Sequence, residues 1–568
     1  MASLTGKYRA NARSSALLGA LIGGLAFAPL ALAERPNIVL IVADDLGYTD
    51  LGVTGGEIDT PNLDQMAQQG LLISDFQVSP QCSPTRSMML SGTDSHLAGM
   101  GQMAEWKKAP NQQGQPGYVG YLRDDVMPIS ETLKNSGYNT YMVGKWHLGL
   151  DEPHMPHNRG FEQSFVLLQG GASHFGTQKG YTPEKPIAPY RDNGKEVESL
   201  PKDFFSTDFY TDKVIEYIDA DRNGDSKEDK PFFAYVAYTA PHWPLQAPDS
   251  WIDKYKGRYA QGFEALAQER SERAKALGLF PEDAAPYAFT PLKIHNAWDS
   301  LSDEQKAVSS RKMEIYAAMV ANMDFNIGRL LQHLKEIGEY DNTLFVFMSD
   351  NGPEGGNPIN IWKRYGEQVA ADWKATYDLS LENLGRPNSF AAYQEWAQAS
   401  AGPFRDFKGT VTEGGIRSPL IVKYPGGVMG KVNTTALTTV MDLAPTFLDV
   451  AGAEHPETYN GIKIYPHKGK SLMPMIRGEA EAVHDSDYAV GVEIDEKQAL
   501  RKGDWKLVWV KKGPVKTDGW QLFNIASDPG ETTNLADANP DKLAEMKQEW
   551  ERYVAENGLV IAEWPEQN

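Results

Sequence analysis

Pro36-Asn37-Ile38-Val39-Leu40-Ile41-Val42-Ala43, followed at once by Asp44-Asp45, is the stretch on which the reading of the fold turns. A short unbroken apolar run fits a parallel strand covered on both faces, and this one ends in two acids. Thr60-Pro61 then reads as a helix start, with Leu63 and Met66 on the apolar side and Gly70 as the stop. Leu71 to Val78 returns as a strand. The unit recurs along the chain. A short helix from Ile129 to Asn135 precedes a strand from Asn139 to Val143, which runs into Gly144-Lys145-Trp146-His147. A helix capped by Ser206 or Thr207 and running through Ile218 precedes a strand from Phe232 to Tyr238, which runs into Pro241-His242-Trp243. A longer helix, striped by Met319, Met323, Ile327, Leu330, Leu331 and Leu334, precedes a strand from Leu344 to Met348 and then Ser349-Asp350-Asn351-Gly352. Such alternation predicts an α/β fold with a large mixed, mostly parallel sheet sandwiched by helices. Ligands in such sheets bind beyond the carboxyl ends of the strands. Strands ending in Asp-Asp, Lys-x-His, Pro-His and Asp-Asn therefore predict a single polar site along one sheet edge.

Residues 250–310 and 357–402 are rich in charged, aromatic and helix-forming residues without a strand pattern, and read as insertions at the rim of that site that govern access. Lys408-Gly409-Thr410 and Glu413-Gly414-Gly415-Ile416-Arg417 lead to a strand from Leu420 to Lys423 and a helix from Ala444 to Val450. From about Tyr488 the texture changes to short alternating strands such as Trp505 to Val510, with turns at Gly513-Pro514 and Asp528-Pro529-Gly530. A last amphipathic helix carries Leu543, Met546, Trp550 and Tyr553. The predicted organisation is a leader at 1–33, a large domain at 34–487 and a smaller C-terminal α+β subdomain at 488–568.

The leader reads as a secretory signal: Lys7, Arg9 and Arg13 precede the apolar stretch Ala16 to Ala28 and the cleavage site Ala31-Leu32-Ala33. Export to the periplasm or the medium is expected, and no later segment is apolar for long enough to span a bilayer. Losing the leader removes three cations and no acid, so the formal net charge of −21 becomes −24. That argues against nucleic acid as a partner. It also requires an anionic ligand to be drawn in by local cations. Cys82 is the single cysteine in 568 residues, which rules out an internal disulfide and leaves an exported thiol to be explained.

Cys82 opens the stretch Cys82-Ser83-Pro84-Thr85-Arg86-Ser87-Met88-Met89-Leu90-Ser91-Gly92. Pro84 suits the first position of a helix, which sets Cys82 at a helix mouth where backbone N–H groups favour an anion. Arg86, one turn in, carries a planar fork that suits tetrahedral oxyanions. A lone cysteine also fits a small buried apolar residue. Cys82-Ser83-Pro84-Thr85-Arg86, continued by Leu90-Ser91-Gly92, resembles the signature of the formylglycine-dependent sulfatases of the alkaline phosphatase superfamily. Thr85 stands where many members carry Ser or Ala. The likeness, to bacterial arylsulfatases in particular, runs through most of the chain. Segments similar to that family's Asp-Asp, Gly-Lys-x-His, Pro-His, Asp-Asn-Gly and Lys-Gly-x-x-x-Glu-Gly-Gly elements follow in the family's order.

The short oxygen donors at the strand ends suit Ca²⁺, or Mg²⁺ if fewer bind, although any one of them alone would merely cap a helix. The resemblance implies an alkaline phosphatase-like fold and an arylsulfatase-like sulfuric ester hydrolase acting on small-molecule or sugar sulfate esters. It implies that a maturation enzyme oxidises Cys82 to formylglycine (3-oxoalanine). It further implies one Ca²⁺ per chain held by Asp44, Asp45, Asp350 and Asn351, with the modified Cys82 completing the shell. In the same reading Arg86, Lys145 and Lys408 grip the sulfate, and His147 and His242 handle protons. Two other readings use the same residues: hydrolysis of phosphonate monoesters or phosphodiesters, and non-catalytic binding of sulfated glycans if Cys82 stays a thiol. Trp106 and Trp243 are candidates for the wall of a leaving-group pocket. Asp219-Ala220-Asp221-Arg222-Asn223-Gly224-Asp225 begins like an EF-hand loop, but Lys230 stands where the bidentate Glu should be, and the segment reads as a solvated linker.

Overall fold

Val39, Ile41 and Ala43 lie on one face of the strand Asn37–Ala43 and Ile38, Leu40 and Val42 on the other, and all six are wholly buried. The computed structural model describes residues 35–106, 108–222, 230–289, 296–511 and 515–564. The predicted leader, the Gly513-Pro514 turn and residues 223–225 of the acidic loop lie outside them.

The strand sits within an eleven-stranded sheet. In order across it come Lys431–Asn433, Leu71–Gln77, Arg417–Lys423, Thr343–Ser349, Asn37–Ala43, Phe232–Ala237, Asn139–Lys145, Gln163–Leu167, Tyr190–Asp192 and Lys195–Glu196, with Thr438–Thr439 also pairing Leu71–Gln77. Helices Pro61–Gln68, Ser206–Arg222 and Asp303–Glu336 cover one face; Cys82–Ser91, Ile129–Asn135 and Leu443–Ala451 cover the other. No helix among the described residues is long and apolar enough to cross a membrane.

Register aligns the strand ends. Ala43 pairs with Ser349, Val42 with Ala237, and Ala237 with Gly144, all in parallel. Asp44 and Asp350 therefore stand side by side at one edge of the sheet, with Tyr238 and Lys145 beside each other one residue below them. The strand Arg417–Lys423 is antiparallel to both neighbours, so the loop before it, with Lys408 and Glu413, begins at that same edge.

Strands Ala489–Ile494, Lys497–Lys502, Trp505–Val510 and Gln521–Asn524 form a separate antiparallel sheet in sequence order. Leu500, Leu507 and Leu522 bury one face against Met546 and Trp550 of the helix Pro540–Asn557. Ala499, Val508 and Phe523 bury the other against Val411 of the Lys408 loop. Beside that contact the buried Lys506 ammonium lies 2.7 Å from Glu413 and 3.0 Å from Glu531, the latter as an ion pair rather than an aligned hydrogen bond.

Cys82 is itself the first residue of its helix and Pro84 the third; a proline is tolerated there because the first-turn N–H groups have no partner within the helix. The Thr60 hydroxyl accepts from the Gly52 amide instead of capping the helix that follows it. The first strand-free stretch lies behind the loop that follows Asp45. From its helix Phe263–Ala276, the wholly buried Arg270 binds Asp50 at 2.5 Å and Glu57 at 2.7 Å. Of the acidic linker, Asp219 pairs with His333 at 2.9 Å and Asp221 accepts from Tyr141.

Candidate active site

Asp44 and Asp45 leave the central strand, and Asp45 has a left-handed backbone (φ 66°). A non-glycine residue held in that region is uncommon and costs stability. The loop is fastened from below. Asp50 accepts from the Gly47 amide, the Ser400 and Tyr316 hydroxyls and Arg270.

All ten predicted residues are buried, and contacts link nine of them directly. Cys82 Sγ lies 3.5 Å from Asp44 and 3.8 Å from Asp45. Lys145 Nζ donates to both Asp44 oxygens at 2.8 and 2.7 Å. Lys408 Nζ lies 2.7 and 2.9 Å from the two Asp45 oxygens, and His242 Nε2 lies 3.7 Å from one of them. Arg86, fully buried, donates from Nε to Asp350 at 2.9 Å and from Nη1 to the Lys145 carbonyl at 2.9 Å and the Tyr235 hydroxyl at 3.2 Å. Its Nη2 lies 2.7 Å from Asp350, off the hydrogen-bond axis. Asn351 donates from Nδ2 to Asp45 at 2.7 Å, while its carbonyl oxygen Oδ1 is buried without a partner among the described residues.

The tenth, His147, sits alongside, also with a left-handed backbone (φ 59°). Gly170 and Gly171 tie it to His242: a Cβ on Gly170 would fall 2.8 Å from His147 Cε1, and one on Gly171 3.1 Å from His242 Cε1. Both histidines thus pack against one glycine pair beyond the strand Gln163–Leu167. His147 Nε2 lies 3.0 and 3.1 Å from the two oxygens of Glu105, a residue in no recognisable motif.

The electrostatics follow from burial. Desolvation pushes the Cys82 thiol well above its ordinary range, with Asp350 adding to it against Lys145 and Lys408. Desolvation also works against the Asp45 charge, but Lys408, His242 and Lys145 together hold that carboxyl below its usual range. Burial lowers both His147, against the pull of Glu105, and His242, against that of Asp45. Three carboxylates, Asp44, Asp45 and Asp350, face three cations, Arg86, Lys145 and Lys408, at direct contact.

A metal fits this donor set. Ligand atoms of Asp44, Asp45, Cys82 and His242 all lie within 4.8 Å of one another. With Asp350 adjacent and the orphaned Asn351 carbonyl, hard oxygen donors dominate, as a Ca²⁺ or Mg²⁺ site requires. The rim is aromatic. Trp243, beside His242, packs at 5.5 Å on Tyr181 and 5.6 Å on Phe390, and the Arg364 guanidinium lies 4.6 Å over the Trp106 ring. Phe390 and Arg364 come from the second strand-free stretch, which therefore borders the site.

The profile of the family described as Sulfatase matches residues 36–453, and that of N-sulphoglucosamine sulphohydrolase, C-terminal, matches residues 404–556. An uncharacterised sulfatase of Schizosaccharomyces pombe is 41% identical over 95% of this chain and 97% of its own. An arylsulfatase of Klebsiella aerogenes is 38% identical over 84% of this chain and 97% of its own. Among solved structures, Ps i-CgsB in complex with k-i-k-neocarrahexaose superposes with a TM-score of 0.64 at 26% identity, over 94% of this chain and 96% of that one.

Proposed function

Because the chain belongs to the sulfatase family and is a sulfuric ester hydrolase, we propose that it cleaves aryl sulfates to a phenol and sulfate at Cys82 oxidised to formylglycine, beside one Ca²⁺. The observation that carries this is the meeting of Cys82 with three carboxylates, three cations and an unpartnered amide oxygen at one sheet edge. Asp44, Asp45, Asp350 and Asn351 would hold the metal. Their three negative charges are already matched by Arg86, Lys145 and Lys408, so a dication brings an excess of positive charge. An anionic ester answers that excess in a protein whose overall charge repels it.

When present, the metal and the hydrated aldehyde supply an ionised hydroxyl for attack on sulfur. The chain's own residues do the rest. Arg86, Lys145 and Lys408 stabilise the charge that develops on the sulfuryl oxygens. His242, with Lys408 beside it on Asp45, protonates the leaving oxygen, a contribution of about 10²–10⁴ in rate. His147 takes up a proton. Tyr181, Trp243 and Phe390 give the leaving group an aromatic wall, which supports an aryl ester.

In the same reading the leader at 1–33 directs export to the periplasm or the medium, and a separate maturation enzyme acts on Cys82. Residues 34–487 would form the catalytic domain and 488–568 the C-terminal subdomain. Mass spectrometry of the Cys82 peptide tests it, with CHO expected in place of CH₂SH. Cys82→Ala should abolish turnover of nitrophenyl sulfate, and that ester should be cleaved faster than a phosphonate monoester. An intact thiol in active protein overturns the nucleophile.

A further inference from the structure

His147 is held by a side chain from outside every motif of the site. Glu105 presents both carboxylate oxygens to Nε2, at 3.0 and 3.1 Å, and also accepts from the Tyr181 hydroxyl. We propose that Glu105 is a positioning residue that fixes the tautomer of His147, keeping the proton on Nε2 and leaving Nδ1 as the atom that takes up a proton. The inference rests on the proton-carrying role assigned to His147 above.

A carboxylate only accepts, and imidazole carries one proton when neutral. Nε2 must therefore be the donor in this pair, and Nδ1 bears the lone pair. His147 Nδ1 is buried and has no partner among the described residues. Around the ring stand Glu105, Lys145 and Arg86, with Tyr181 behind Glu105. Glu105 is the acid among them; burial opposes its charge, and the hydrogen bonds from His147 and the Tyr181 hydroxyl hold it below its usual range. The left-handed backbone at His147 and the absence of a side chain at Gly170 fix where the ring sits. Glu105 fixes which way round its proton lies. A second group that orients an imidazole in this way is typically worth 10–100-fold at metal-bound histidines and about 10⁴-fold where it sets the tautomer of a catalytic base.

The full chain with ¹⁵N-labelled histidine decides the matter, with His147→Asn used to assign the signal. Wild type is expected to show a protonated Nε2 and a bare Nδ1 at residue 147. Glu105→Gln, whose amide can donate to Nε2, is expected to lose or reverse that preference, while Glu105→Asp retains it. In turnover of nitrophenyl sulfate, Glu105→Gln should lower kcat by about 10²-fold or more with KM unchanged, and Glu105→Asp should recover part of the loss. A wild-type His147 protonated on Nδ1, an unaltered tautomer in Glu105→Gln, or wild-type kcat in that variant overturns the proposal. The tautomer signal does not depend on turnover. Failure of the aryl sulfatase reading, seen as wild-type inactivity on nitrophenyl sulfate, is therefore distinguishable from failure of this one.

Discussion

Lys506→Met removes a charge from the small sheet and tests how that sheet supports the chemistry. Lys506 is 1% exposed and its partners Glu413 and Glu531 are fully buried. At 2.7 Å and an effective dielectric of about 20, the attraction to Glu413 alone is roughly 6 kcal/mol. Arg417 remains on Glu413 at 3.2 Å, and releasing Lys506 from its own desolvation offsets part of the loss. The net cost should be about 3–5 kcal/mol, the usual range for orphaning a buried carboxylate. Activity should fall with it, because Glu413 opens the Gly414-Gly415 turn whose Gly415 carbonyl receives the Gly352 amide at 3.0 Å, next to Asn351. Urea unfolding followed by tryptophan fluorescence, with nitrophenyl sulfate turnover alongside, measures both effects. Because Glu413 keeps Arg417, and Glu531 has only Lys506 as a cation at contact among the described residues, Glu531→Gln combined with Lys506→Met leaves an amide where the orphaned charge stood, and should regain most of the stability. A cost below about 1 kcal/mol, which is the scale of a surface pair, or a double variant no better than Lys506→Met, refutes the reasoning.

Two further outcomes follow from the buried charges. His96 lies between Asp94 at 2.9 Å and Glu493 at 3.4 Å, and although burial opposes its charge, these two acids raise its pKa from 6.5 to about 9. Its contribution of about 3 kcal/mol is complete below pH 6.5 and lost as pH rises through about 9; His96→Gln should flatten the stability profile across that window, and an unchanged slope counts against the assignment. Calcium at a hundred times its dissociation constant should stabilise the protein by about 2.7 kcal/mol. Chelation should reverse this, and Asn351→Ala should weaken calcium binding in calorimetry; equal affinities in wild type and variant would remove Asn351 from the metal.

The edge of the sheet was legible because the apolar runs are unbroken and each stops at a polar cluster. Asn37–Ala43 and Thr343–Ser349 match in length, so reading where each run ends also reads what meets what. Direction was not legible. Nothing in Leu420 to Lys423 says that its strand runs antiparallel, since apolar alternation has no sign. Glu105 is not legible because Met103-Ala104-Glu105-Trp106 lies in a loop without period or motif, and its contact is with a residue 42 positions away. Arg270 lies in a stretch rich in charged residues, where no period marks it for burial. Its burial follows from Asp50 and Glu57, acids whose inward placement only the tertiary fold reveals. The Lys506–Glu413 pair likewise joins segments on either side of the boundary predicted at 488.

Cys82 is 1% exposed, at the start of a helix whose residues are all buried. No second enzyme can close on that sulfur in the finished molecule without prising the helix away. For the oxidation proposed here, burial dictates timing: the thiol has to be converted while the chain is still loose. Yield then becomes a race. A cell that folds the chain faster than it oxidises it accumulates well-formed copies that can no longer be switched on.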